Sequence, residues 1–310
     1  MERWILKTAV QHVISWLPWS HRWNELLQKY VTKGLRLRPS DFEAKLGCCR
    51  KHWEHYRAFS RKPKEAPAVL ELGTGWFPIV PVGLYLCGAE SVTTYDLVPL
   101  VRPAGFRQSI ELFCEYDQDG RLQAGLPWVL PDRVRQLRQL LPLVGGTSPA
   151  ELLARLNIHA VIGDARRTGL PFGAVDFVCS TVVFEHIPRD VLAGLFAEFR
   201  RISTKDAAMS HYIGLKDQYA NFDPSLSPFN FLKYSDRRWR LLNNQMIPLN
   251  RLRIPEYRRL HAEAGYRIVK EENASGALDD LRAIRLAPEF QRYTEEDLLV
   301  LFSWLASVPE

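Results

Sequence analysis

Short runs of apolar and β-branched residues alternate with helical segments along most of this chain. Helical segments, such as 189–202 and 255–264, stand between the later runs. Strands that alternate with helices are typical of a mostly parallel sheet covered by helices on both faces. We therefore predict an α/β fold. The runs predicted as strands lie at 68–72, 91–95, 159–162, 175–183, 207–215 and 266–270.

Three segments do not belong to a minimal α/β unit. The first contains four tryptophans at helical spacing, which predicts a helical lid and leaves peripheral contact with a membrane surface open as an alternative. The other two are insertions expected to roof the site. The predicted units are a helical N-terminal lid at 1–60 and a main domain at 61–310 with inserted cap segments at about 98–155 and 216–253.

Composition limits the classes of function. The net charge of +6 is dispersed in separate basic pairs, which argues against a nucleic-acid partner. Five cysteines without a Cys-x-x-Cys pair favour a reducing cytoplasm. No apolar run reaches the roughly 20 residues that span a bilayer, so no transmembrane segment is expected. Residue spacing predicts no metal site.

A glycine turn follows the first predicted strand. In the run Glu71-Leu-Gly73-Thr74-Gly75, the glycines let the backbone approach a ligand, and the following helix presents its N–H groups. Asp96 ends the second strand, where a carboxylate accepts both hydroxyls of a ribose. This pair alone suits NAD as well as other adenosine-containing cofactors.

Two later motifs narrow the choice. Gly163-Asp164-Ala165 closes the third strand, and the run from Ser180 to Pro188 (STVVFEHIP) closes the fourth. With the glycine turn and Asp96, this set resembles the class I S-adenosylmethionine-dependent methyltransferases over residues 68–215 and the strand near 266. The resemblance implies a Rossmann-like fold, with a seven-stranded mostly parallel sheet, and S-adenosyl-L-methionine as the cofactor.

The resemblance also implies roles for individual residues. Asp96 would hold the ribose hydroxyls, Asp164 would accept from the adenine amino group, and Glu185 would lie near the methionine end. Phe77, followed by Pro78, stands where the family has a third glycine. The cofactor-binding residues implied by the resemblance are Glu71, Gly73, Thr74, Gly75, Asp96, Leu97, Asp164, Ala165, Ser180, Thr181 and Glu185.

Transfer of a methyl group from a sulfonium to an oxygen needs alignment and a base that takes the acceptor's proton. His186 and His211 lie near the carboxyl edge of the predicted sheet, and Asp217 is placed to orient a histidine. Each has a structural alternative: His186 capping the next helix, His211 as a satisfied strand histidine, and Asp217 as a loop acid.

Aromatic and amide side chains concentrate in the second insertion, which favours a binding pocket for the acceptor over a structural loop. We predict O-methylation of a sugar, phenolic or secondary metabolite. N-methylation of an amine, an NAD-dependent oxidoreductase and a degenerate binding protein remain alternatives. A helix at 294–308, capped by Thr294, would close the lid or form a homodimer contact. The predicted acceptor-binding residues are Tyr219, Asn230, Tyr234, Trp239 and Arg251.

Overall fold

The computed structural model describes residues 36–221, 223–243 and 248–310. The tryptophan-rich part of the predicted lid, and with it the predicted membrane contact, lies outside the described residues. None of the described helices is long and apolar enough to cross a membrane.

Seven strands and eleven α-helices make up the described part of the chain. The strands are β1 (Ala68–Leu72), β2 (Ser91–Asp96), β3 (Ile158–Ile162), β4 (Val175–Thr181), β5 (Ser203–Gly214), β6 (Tyr266–Ser275) and β7 (Val300–Pro309). The helices are α1 (Pro39–Phe59), α2 (Ile79–Leu86), α3 (Pro103–Gln118), α4 (Arg121–Gly125), α5 (Pro131–Arg138), α6 (Pro149–Ala154), α7 (Arg189–Ile202), α8 (Asp236–Leu242), α9 (Ile254–Glu263), α10 (Leu278–Arg282) and α11 (Glu295–Leu299).

The strands form one sheet in the order β3-β2-β1-β4-β5-β7-β6. Strands β1 to β5 are mutually parallel, and β7 runs antiparallel to both β5 and β6. The prediction of a seven-stranded, mostly parallel α/β sheet is therefore confirmed.

Alternation along the strands divides the core between the two faces of the sheet. Val69 and Phe177 pack with α1, α2 and α3 on one face. Leu70 and Val178 pack with α7 and α9 on the other face. Because consecutive strand residues point to opposite faces, each central strand serves both layers.

Helix α1 is part of the first layer. Seven of its side chains are buried, among them Phe42, Trp53 and Tyr56. Its N-terminal half lies near the carboxyl ends of the strands, while its C-terminus reaches the start of β5, where Ser60 donates to the carbonyl of Asp206 at 2.7 Å. The helix thus brings residues from the predicted lid segment onto the sheet.

The predicted helix at 294–308 is wrong beyond its first turn. Thr294 does cap a helix, because its hydroxyl accepts from the N–H of Asp297 at 3.1 Å. After Leu299 the chain becomes β7, which inserts between β5 and β6. Pairing on both sides satisfies the backbone of β7, and this tertiary gain overrides the local helix signal.

Candidate active site

The order of the sheet reverses between β1 and β4. Strand β2 lies on one side of β1 and β4 lies on the other, so the connections after β1 and β4 leave in opposite directions. In open α/β sheets this switch point opens a crevice at the carboxyl ends of the strands, where ligands bind. The glycine turn that follows β1 lies at this point.

Only glycine fits at the first position of that turn. Gly73 has φ of 89°, and a Cβ there would lie 2.4 Å from Cγ2 of Val183. Its N–H donates to the carbonyl of Tyr95 at 2.8 Å, which ties the turn to the end of β2. The second glycine, Gly75, also has a left-handed φ, of 68°.

Asp96 joins the turn to the end of β2. Its Oδ2 accepts from the N–H of Gly75 at 3.0 Å, and its Oδ1 accepts from the N–H of Leu97 at 3.1 Å. Burial raises the pKa of Asp96, and the N–H groups of Gly75 and Leu97 oppose that shift. Two predicted cofactor-binding residues, Gly75 and Asp96, are therefore in direct contact.

A buried polar chain supports the turn from below. The hydroxyl of Thr94 donates its one proton to Oε2 of Glu71 at 2.8 Å. In the bond between Thr74 and Thr94, at 2.5 Å, the hydroxyl of Thr74 is therefore the donor. Burial raises the pKa of Glu71 to about 8. Thr94 is not among the predicted site residues, although the β1–β2 register places it opposite Glu71.

Asp164 lies at the surface beyond β3. Nη2 of Arg166 donates to the carboxylate of Asp164 at 2.6 Å, and this hydrogen bonding lowers the pKa of Asp164. The neighbouring Ala165 is buried. The N–H of Gly163 donates to the carbonyl of Asp96 at 3.0 Å, so the ends of β2 and β3 are held together.

Backbone strain marks the end of β4. Val182 has φ of 55°, a left-handed conformation that is costly for a β-branched residue. Its N–H donates to the carbonyl of Tyr212 at 2.7 Å. Such strain concentrates at functional sites because the surrounding structure must hold it in place. No sequence signal indicates it.

Glu185 follows in the 3-10 turn after β4. Its side chain is 3% exposed, and no described side chain donates a hydrogen bond to either carboxyl oxygen. The carboxyl lies against Gly214, where a Cβ would be 2.6 Å from Oε1. Burial raises the pKa of Glu185 to about 8.

The position of His211 does not fit the predicted catalytic role. Its side chain is fully buried in the second core layer, with its ring 4.4 Å from that of Phe184 between centroids. Nδ1 is 2.8 Å from the hydroxyl of Ser180. The hydroxyl of Ser180, a predicted cofactor-binding residue, is thus hydrogen-bonded to His211. Burial holds the pKa of His211 well below its usual value. Its burial fits the alternative of a structural strand histidine better, although Nε2 of His211 has no hydrogen-bond partner among the described residues.

Asp217 does not orient a histidine. It is fully buried and accepts from the N–H of Tyr219 at 2.8 Å and from Nδ2 of Asn230 at 3.0 Å. It therefore holds the loop of the second insertion in place, and it engages two of the predicted acceptor-binding residues in doing so.

His186 is half-buried and ends the 3-10 turn that follows β4. Its Nδ1 donates to the carbonyl of Pro248 at 2.9 Å, which leaves Nε2 to accept from the amide of Gln218 at 3.2 Å. Burial lowers the pKa of His186. Of the two predicted histidine bases, only His186 carries a neutral, basic nitrogen outside the core.

Three of the predicted acceptor-binding residues, Tyr219, Tyr234 and Trp239, lie in a third apolar cluster. Arg251 is 5% exposed and donates to the carbonyls of Phe231 and Tyr234 and to Asp236. Trp239 donates to the carbonyl of Leu249 at 3.0 Å. Because these donors are used within the cluster, the structural alternative fits the block better than acceptor binding does.

The hydroxyl of Thr181 is bonded to α1. Nε2 of His52 lies 3.0 Å from it, and Nδ1 of the same ring lies 2.9 Å from the hydroxyl of Ser210. The predicted lid segment therefore contacts the predicted methionine end of the site. Among the described residues, no group of His, Cys, Asp and Glu is arranged to hold a metal ion.

Comparison with known proteins gives structural matches alone. No family model and no curated protein matches the sequence. Similar solved structures include geranyl diphosphate C-methyltransferase from Streptomyces coelicolor A3(2), at 11% identity and a TM-score of 0.46, with 83% of this chain and 78% of that chain covered. Magnesium protoporphyrin IX methyltransferase from Synechocystis PCC 6803 has 11% identity and a TM-score of 0.45, with 89% of both chains covered.

A third similar structure is ribosomal protein L11 methylase from Lactobacillus delbrueckii subsp. bulgaricus, at 11% identity and a TM-score of 0.40, with 89% of this chain and 85% of that chain covered. By their names, these three proteins act on chemically different acceptors. Similarity of this degree therefore identifies no acceptor for the present chain.

Proposed function

We propose that this protein is a class I S-adenosylmethionine-dependent methyltransferase that acts on a small molecule. The observation that carries the proposal is the contact between Asp96 and Gly75 at the switch point of the sheet. This contact brings an acid suited to a ribose beside a turn that would let the backbone approach a ligand, which supports a nucleoside site here.

The cofactor would lie across the carboxyl edge of the sheet in strand order. Its adenine would lie beside Asp164 and Ala165 after β3, and its ribose beside Asp96 after β2. The sulfonium and the methionine part would then pass over the glycine turn toward the end of β4, where Val182 is strained and Glu185 is buried.

The sheet order disfavours the NAD alternative. The classic dinucleotide fold has the strand order 3-2-1-4-5-6. Here an antiparallel β7 lies between β5 and β6. The ordered contact between Gly75 and Asp96 likewise argues against a degenerate binding protein.

Once bound, S-adenosylmethionine would supply an electrophilic methyl group, which an acceptor atom would take as the carbon–sulfur bond breaks and a neutral thioether leaves. The proton of the acceptor would pass to a base of this chain. Alignment and exclusion of water by the site would supply most of the acceleration. For a hydroxyl acceptor, we assign the base to Nε2 of His186 after displacement of Gln218. An amine acceptor would need less assistance.

Calorimetric titration of the full chain with S-adenosylhomocysteine and with NAD tests the cofactor assignment. We expect binding of the first ligand alone. Binding of NAD without S-adenosylhomocysteine would overturn the proposal, and so would the absence of any binding.

The base assignment is tested by His186→Ala, with His211→Phe as its matched control. The first variant should lose turnover with little loss of stability, because His186 is only half-buried. The control should lose stability first, because His211 lies in the core. Equal turnover of His186→Ala and the wild type would exclude His186 as the base and favour an amine acceptor.

A further inference from the structure

One lysine of α1 lies directly over the glycine turn. The Nζ of Lys45 is 3.8 Å from the position that a Cβ of Gly75 would occupy. Because Gly75 has no side chain, the space between this ammonium and the backbone of the turn stays open. The predicted strand–turn motifs do not include Lys45, because it precedes β1 by more than 20 positions in the chain.

The ammonium of Lys45 lacks a close counterion. Among the described residues, no carboxylate lies within 4.0 Å of its Nζ, whereas other cations of α1, including Arg50 and Lys51, have such partners. Lys45 is also only partly exposed to solvent. Burial lowers the pKa of Lys45, and the charges of Glu71 and Asp96 oppose that shift.

A half-buried ammonium without an ion pair is costly, and an anionic ligand would lower that cost. The anion must come from the part of the ligand that passes the turn. With the ribose at Asp96 after β2, the next groups along the edge are the sulfonium and the amino-acid part of the cofactor. The α-carboxylate is the single anionic group in that part.

We propose that Lys45 of α1 binds the α-carboxylate of S-adenosylmethionine above the Gly75 turn. This proposal rests on the proposed function. It makes α1 a wall of the cofactor site, and it gives the contact between the predicted lid segment and the sheet a role in binding.

A purely structural role for Lys45 makes a different prediction. If Lys45 only balances the charges of Glu71 and Asp96, its removal would disturb the turn and weaken every nucleoside ligand to the same degree. The two roles therefore separate when ligands with and without the carboxylate are compared.

The experiment measures dissociation constants of S-adenosylhomocysteine and of methylthioadenosine, which lacks the whole amino-acid part. We expect Lys45→Met to weaken S-adenosylhomocysteine about tenfold or more and methylthioadenosine less than about twofold. Lys45→Arg should retain most of the affinity. Arg50→Met, on the exposed side of the same helix, is the matched control and should change neither constant.

Equal weakening of both ligands, or no weakening of either, would overturn the proposal. A second measurement uses decarboxylated S-adenosylhomocysteine with the wild type and with Lys45→Gln. The wild type should prefer the carboxylate form by about tenfold, and the variant should not distinguish the two forms. If the wild type binds none of these ligands, the proposed function fails instead, so the two failures are distinguishable.

Discussion

The carboxylate of Asp96 accepts a hydrogen bond from the backbone N–H of Gly75 at 3.0 Å. The acid at the end of β2 thereby fixes the position of the turn at the end of β1. The N–H of Leu97 bonds the other oxygen and the N–H of Val98 also acts on this carboxylate, yet a carboxylate has about four acceptor positions. Capacity to accept from a ribose hydroxyl therefore remains.

Replacement of Asp96 tests that capacity. We expect Asp96→Ala to raise the dissociation constant of S-adenosylhomocysteine by at least about tenfold, because charge-assisted hydrogen bonds to the ribose are lost. Calorimetry measures the constant, and circular dichroism should show an intact fold. Asp132→Ala, an exposed acid of α5, is the control. Unchanged affinity in Asp96→Ala would remove Asp96 from the ribose site.

Gly73 should not tolerate a side chain. Gly73→Ala combines a left-handed φ with a clash against Val183, so we expect the free energy of unfolding to fall by about 1–3 kcal/mol. Gly47→Ala is the control. Gly47 lies within α1 with open space around it, and the change should raise stability by about 0.4–1 kcal/mol. Denaturant titration compares them, and equal effects would contradict the strain argument.

Glu185 should make stability fall in alkaline solution. Its folded-state pKa of about 8 exceeds its usual value of 4.5, so its contribution is complete below pH 4.5 and is lost as pH rises through about 8. We expect Glu185→Gln to be more stable than the wild type at pH 9 by roughly 2–5 kcal/mol and similar at pH 5. Urea titration at both pH values measures this difference.

The control for Glu185 is Glu198→Gln. Hydrogen bonding to Arg201 lowers the pKa of Glu198 to about 2, so the sign of its contribution is opposite. This variant should gain no stability at pH 9. A gain in both variants, or in neither, would contradict the burial of an uncompensated carboxyl at Glu185.

His52 should make stability fall in acid. Burial, aided by repulsion from His55, lowers its folded-state pKa from 6.5 to about 3, so its contribution is present above pH 6.5 and is lost as pH falls toward 3. In the wild type, the free energy of unfolding should decline between pH 6 and pH 4. We expect His52→Gln to reduce the slope of that decline by about 1.4 kcal/mol per pH unit. Parallel curves for the variant and the wild type would exclude this role.

The residues at the ends of β1, β2 and β3 could be predicted from sequence because local signals mark them. A glycine turn or an acid after a short apolar run has a fixed place on a parallel sheet. The role of His211 could not be predicted in the same way, because its side-chain direction depends on which face of β5 packs against α7. Met209 and Ile213, at alternate positions, were the one local hint that its face is buried.

Local patterns by themselves determined the parallel core, the glycine turn and the place of Asp96 and Asp164 at the ends of strands, because side-chain alternation and backbone requirements act over a few residues. Tertiary structure alone decided that 300–309 is a strand, that Arg251 serves a structural cluster and that Lys45 lies above Gly75. These depend on pairing and packing between segments distant in sequence, where burial outweighs local propensity.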